Sequence, residues 1–144
     1  MRYVVLGLCL AFASVAVAAE EPTPVDQFFA RECPTREHPP RIFSNGPNFV
    51  DPPGVGNSLP SECGALFDIA ADGTTTNIRA LCTGFRFDET LTEKWSAAMH
   101  DYVTATNYGT MAASFDHQAH SCVATTMRFL IVSPPKRTPP RPEK

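Results

Sequence analysis

"CGALFDIAADGTTTNIRALC", residues 63–82, places its two cysteines nine residues either side of the Asp72-Gly73 pair. Ala65, Phe67 and Ile69 alternate with Gly64, Leu66 and Asp68, the period-two pattern of a half-buried strand. Beyond the turn, Thr76, Ile78 and Ala80 alternate with Thr75, Asn77 and Arg79. Asp-Gly is a turn pair that tolerates positive φ. Folding the segment about it sets Ala65 against Ala80, Phe67 against Ile78 and Asp68 against Asn77, with both apolar sets on one face. Cys63 and Cys82 then stand directly opposite, where strand geometry and disulfide geometry agree. The spacing predicts a hairpin stapled at its open end, a link that stabilises by about 3 kcal/mol in the chain-entropy model.

The full chain has 144 residues, enough for one domain. Residues 1–18 read as a secretory signal peptide: one basic residue, an apolar run from Tyr3 to Ala13, and Ala16-Val17-Ala18 before the cleavage point. The run is shorter than the roughly 20 apolar residues of a membrane span. The reading implies a periplasmic protein with no membrane span after cleavage; the alternative is an inner-membrane anchor facing the periplasm. Of the five cysteines, Cys9 leaves with the signal, and Cys33, Cys63, Cys82 and Cys122 remain. An even count in a small exported chain predicts two disulfides. The net charge of −3, with no basic run before the tail, argues against nucleic acid as a partner.

Residues 19–59 read as an extended arm. Nine of the fourteen prolines lie between Glu20 and Glu62, and they bias the chain towards extended conformations apart from one helical turn near "VDQFFARE". Phe28, Phe29, Ile42, Phe43 and Phe49 predict that the arm lies on the domain. Residues 133–144, "SPPKRTPPRPEK", read as a solvated polyproline-like tail.

The folded unit is predicted over residues 60–132. Asp88 is an N-cap and Glu89 complements the helix dipole; Leu91, Trp95, Ala98 and Tyr102 then recur at helical spacing, with Trp95 as core anchor. A last strand, "CVATTMRFLIV", turns Val123, Thr125, Met127, Phe129 and Ile131 to one face. The fold class is α+β, ββαβ: a three-stranded antiparallel sheet of order 2-1-3 with one helix on one face. The helix returns the chain to the turn end of the hairpin, so Cys122 begins the third strand far from Cys63 and Cys82. By elimination it pairs with Cys33.

The segment "CGALFDIAADGTTTNIRALC", the following "FRFDETLTEKWSAAMHDY" and the closing strand resemble the C-terminal domain of TonB, the periplasmic energy transducer of the TonB/TolA-type fold. The likeness covers residues 63–131 and implies a sheet with a helix on one face, a protein-binding role and a link to transport across the cell envelope. The family carries an uncleaved anchor and a long Pro-rich spacer, in place of the cleavable segment and short arm here. No proline follows the helix in "YVTATNYGTM".

Two function classes compete. One is a non-enzymatic interaction module that takes a periplasmic or outer-membrane peptide strand on the third strand's edge. Val123, Thr126, Arg128 and Leu130 are its candidate contact residues, and the chain is a monomer or an edge-strand dimer. The other is a metal-binding protein or enzyme using His117 and His120 of "HQAHSC", with Asp116 the nearby carboxylate. His100 reads as a surface residue. No nucleophile elbow, phosphate loop or catalytic carboxylate pair is present, and no cofactor or metal is expected.

Overall fold

Thr23 Oγ1 accepts the Asp26 N–H at 3.1 Å, while Asp26 Oδ2 accepts the Thr23 N–H at 3.1 Å. This reciprocal capping box, with Pro24 at the first helical position, starts a nine-residue helix, α1, over Pro24–Glu32. The computed structural model describes residues 20–42 and 46–130. The expected signal peptide, Phe43, Ile131 and the Pro-rich tail lie outside the described residues. After α1 come strands β1, Glu62–Ile69, and β2, Thr75–Thr83. Helix α2 spans Glu89–Thr104, a short α3 spans Tyr108–Met111, and β3 spans His120–Arg128. The sheet has the order β2-β1-β3, and both pairings are antiparallel.

Cys63 lies opposite Cys82 and Ala65 opposite Ala80, and the Cys63–Cys82 disulfide joins Cα atoms 4.0 Å apart. The register then slips. Asp68 faces Thr76 and Ile69 faces Thr75, so the expected Asp68–Asn77 and Phe67–Ile78 oppositions are corrected by a bulge between Leu66 and Asp68. Asn77 takes φ +52°, a left-handed conformation that Asn adopts more readily than most residues, and its Nδ2 donates to Asp68 Oδ2 at 2.7 Å. The turn is also longer than a two-residue Asp-Gly link. Asp72 Oδ1 accepts from the Thr74 N–H at 2.9 Å, and the Thr74 carbonyl accepts the Ala70 N–H at 2.9 Å. Gly73 (φ +86°) is the one residue that fits here, because a side chain would run into the Gly109 backbone of α3.

Both faces of β1 are buried. On one side Ala65, Phe67 and Ile69 pack with Trp95, Met99 and Val103 of α2. These three helix residues are spaced four apart and form the deepest stripe, whereas Tyr102 stays partly exposed at its rim. Asp88 caps α2 as expected, accepting the Leu91 N–H at 2.8 Å. The Trp95 indole is fully buried; its Nε1 donates to the Ser58 carbonyl at 2.9 Å and its ring stacks on Phe49 at 6.0 Å.

On the other side Leu66 packs with Val25 and Phe29 of α1 and with Ala124 of β3. Gly64 permits this approach: a Cβ there would collide with Val25 and Phe29. Leu66, which alternation assigns to the second face, is therefore as buried as Phe67. The helix in the arm supplies the missing cover.

Candidate functional site

The arm crosses the free edge of the sheet. At Cys33 it belongs to the cluster beneath α1, and at Ile42 and Phe49 it packs against the cluster beneath α2. Between them it passes over the edge of β3. Cys33 is disulfide-bonded to Cys122, with Cα atoms 6.3 Å apart, and Glu37 forms an isolated parallel bridge with Val123. The Glu37 N–H donates to the Cys122 carbonyl at 3.1 Å, and the Ala124 N–H donates to the Glu37 carbonyl at 2.9 Å.

A parallel ladder would next ask for an N–H from residue 39. That residue is proline and has none, so the pairing stops after one bridge and the arm turns away. The outward backbone groups of β3 belong to its even-numbered residues: Cys122 and Ala124 bond the arm, whereas Phe129, of the odd set, bonds Ser61 beside β1. Among the described residues, the N–H and C=O of Thr126 meet no backbone partner beyond β3. The open edge therefore runs from Ala124 to Arg128.

A side-chain clasp strengthens the crossing. His120 Nδ1 lies 3.0 Å from Glu37 Oε2 on the arm, and its Nε2 lies 2.8 Å from Asp116 Oδ1 on the preceding loop. A neutral imidazole donates from one nitrogen only, so only the imidazolium satisfies both carboxylates. The hydrogen bond donated to Asp116, then that donated to Glu37, raises the His120 pKa above its ordinary value. His120 in turn holds the Asp116 carboxyl below the usual carboxylate range, helped by the Gln118 N–H.

The candidate residues separate by position. Thr126 and Leu130 are exposed, Leu130 at 88 %. Arg128 is exposed and its Nε donates to Glu62 Oε1 at 3.0 Å, directly across the β1–β3 pair. Val123 is 1 % exposed and sits in the core, and the backbone groups flanking it already bond Glu37. What Val123 offers is a site for the arm.

His117 is exposed beside the Phe115 ring, and His100 is exposed on α2. The clasp brings His120 and Asp116 together, with Glu37 as a third member that the sequence did not reveal. A "REHPP" stretch 83 residues before a histidine carries no local signal of contact. Among the described residues no group of three His, Cys, Asp or Glu side chains is placed to hold a metal ion. A larger hollow of about 550 Å³ lies between Asn48–Pro53 and the outer side of α2. It is lined mainly by Ala97, Ala98, Tyr102, Val50 and prolines, and no residue of β3 contributes to it. No family model, curated protein or solved structure matches the chain. The described residues include no helix long and apolar enough to cross a membrane.

Proposed function

We propose that this protein is a non-enzymatic interaction module of the periplasm that captures a peptide segment of a periplasmic or outer-membrane protein by adding it as a fourth strand beside β3. The observation that carries this reading is the half-covered edge. The arm bonds β3 at Cys122 and Ala124 and is stopped by Pro39, leaving Thr126 with its N–H and C=O directed outward. An unpaired edge of this kind pairs with another chain unless it is blocked, and strand addition draws its affinity from those same backbone groups.

The two disulfides support an oxidising compartment. The resemblance to the TonB C-terminal domain supports a role in transport across the cell envelope, with a cleaved signal in place of the anchor. The arm then acts as a partial guard, limiting the length of strand that can be added.

Thr126→Pro tests the reading. The Thr126 N–H points away from β1, so proline there removes a donor needed by the partner and none needed by the sheet. The expected outcome is loss of partner capture from envelope extract, with circular dichroism and disulfide mapping unchanged. Capture that survives the substitution would move the binding surface off β3.

A further inference from the structure

Beside Thr126, on the α1 side of the sheet, lies a notch of about 330 Å³. Phe29 and Asp26 of α1, Arg36 of the arm, Glu62 of β1, and Thr126 and Arg128 of β3 form its walls. Ala124 turns its side chain to the α1 side, against Leu66 and Phe29. Residues two apart on a strand share a face, so Thr126 and Arg128 present their side chains to the notch. Directly opposed residues of an antiparallel pair also share a face, with Cβ atoms about 5 Å apart. The residue of an added antiparallel strand that lies opposite Thr126 therefore points into this notch.

Among the described residues, the notch has carboxylates that are both engaged, one guanidinium without an ion pair and one that is half used. Asp26 Oδ2 accepts the Thr23 N–H at 3.1 Å and the Thr23 hydroxyl at 3.0 Å. Glu62 Oε1 accepts from Arg128 Nε at 3.0 Å. Arg36 lies over the Phe29 ring, its guanidinium carbon 5.4 Å from the ring centre, and makes no ion pair among the described residues. Arg128 uses only Nε, so its two terminal nitrogens remain available among the described residues. His38 adds a further nitrogen at the rim. Guanidinium groups present fixed forks of donors that suit a carboxylate.

We propose that the notch selects an acidic side chain in the partner strand at the residue opposite Thr126, its carboxylate bonded by Arg36 and the terminal nitrogens of Arg128. The inference rests on strand addition as the protein's function. The carboxylate would accept charge-assisted hydrogen bonds from both guanidinium groups, whereas a neutral amide offers a weaker acceptor and a basic side chain none. Because the site is open to solvent, the selection should weaken with salt.

The test uses the mature protein and three blocked peptides of alternating Thr and Val that differ only in a central Glu, Gln or Lys. Binding is followed by calorimetry and by the Thr126 amide resonance. The Glu peptide should bind about tenfold tighter than the Gln peptide, the gap between a charge-assisted and a neutral hydrogen bond, and the Lys peptide weakest of the three. Arg36→Gln, an exposed substitution, should bring the Glu peptide down towards the Gln peptide. Equal binding of all three, or a Glu preference undiminished in Arg36→Gln, overturns the acidic selection and leaves strand addition standing. Failure of every peptide to bind overturns strand addition and the selection together.

Discussion

Asp68 Oδ1 accepts the backbone N–H of Cys122 at 2.8 Å, from the central strand to a bulged residue of its neighbour. The other carboxylate oxygen accepts Asn77 Nδ2 at 2.7 Å on the opposite side. Asn77 and Cys122 both adopt left-handed backbone, at φ +52° and +61°, and the register slips beside Asp68 in both pairings. One carboxylate thus holds two irregularities in place. The same bulge presents Cys122 to Cys33, so the geometry of the arm crossing depends on Asp68.

Asp68→Asn should destabilise the fold by about 1–3 kcal/mol. The amide keeps one acceptor for Cys122 and presents N–H₂ to Asn77, whose own amide must turn over to accept it, so both bonds lose the charge assistance of the carboxylate. Urea unfolding measures the loss. Asn77→Asp in the same background turns an acceptor towards that amide and should recover part of it. A wild-type midpoint in the single variant would show that the bulges hold themselves.

The two disulfides should open in order. Cys63 and Cys82 are 0 % exposed, whereas Cys33 and Cys122 are partly exposed at the sheet edge. Thiol attack requires access to sulfur, so mild dithiothreitol followed by alkylation should label Cys33 and Cys122 first. Removing the buried pair by Cys63→Ser with Cys82→Ser should cost about 3 kcal/mol. Peptide mapping that finds Cys82 joined to Cys122 would contradict the strand order itself.

The clasp should depend on pH. The pKa of His120 is raised above about 6.5, so its contribution is fully present below that value and is lost as pH rises through the raised pKa. Asp116 is lowered from about 3.8, so its contribution is present above that value and is lost as pH falls through the depressed pKa. The arm is held most firmly between the two ordinary values. Hydrogen exchange at the Ala124 amide, corrected for its intrinsic rate, should show greatest protection in that window and least at alkaline pH. His120→Gln should flatten the alkaline side of the profile, and an unchanged profile would show that the bridge and disulfide hold the arm alone.

Much of this architecture was legible in the residues, for reasons that differ by element. Cys63 and Cys82 lie symmetrically about a turn, and symmetry survives a bulge because the slip lies beyond Leu66, on the turn side of the staple. The sheet order followed from chain direction alone. Asn77 gave no warning, since a left-handed Asn and an in-register Asn are spelled alike. Helix α1 was legible only as one turn near "VDQFFARE": Pro24, read as an extended-chain signal, is instead the first helical residue behind the Thr23–Asp26 box. With α1 cut to a single turn and no face assigned to it, Leu66 had no visible partner. The clasp was invisible for another reason, since Glu37 meets His120 only because the arm passes round the edge.

The nesting of the disulfides has a mechanical consequence. The Cys33–Cys122 link spans 89 positions and encloses the Cys63–Cys82 link within its ring. A pull applied to residues on either side of the ring passes from Cys33 to Cys122 through sulfur. Helix α2 and the stapled hairpin lie inside the ring and bear none of the load. Only α1 and the stretch of β3 beyond Cys122 can be peeled away, and the peeled stretch is the one whose edge stands open. Tension would thus dismantle the binding edge while the rest of the fold stayed whole.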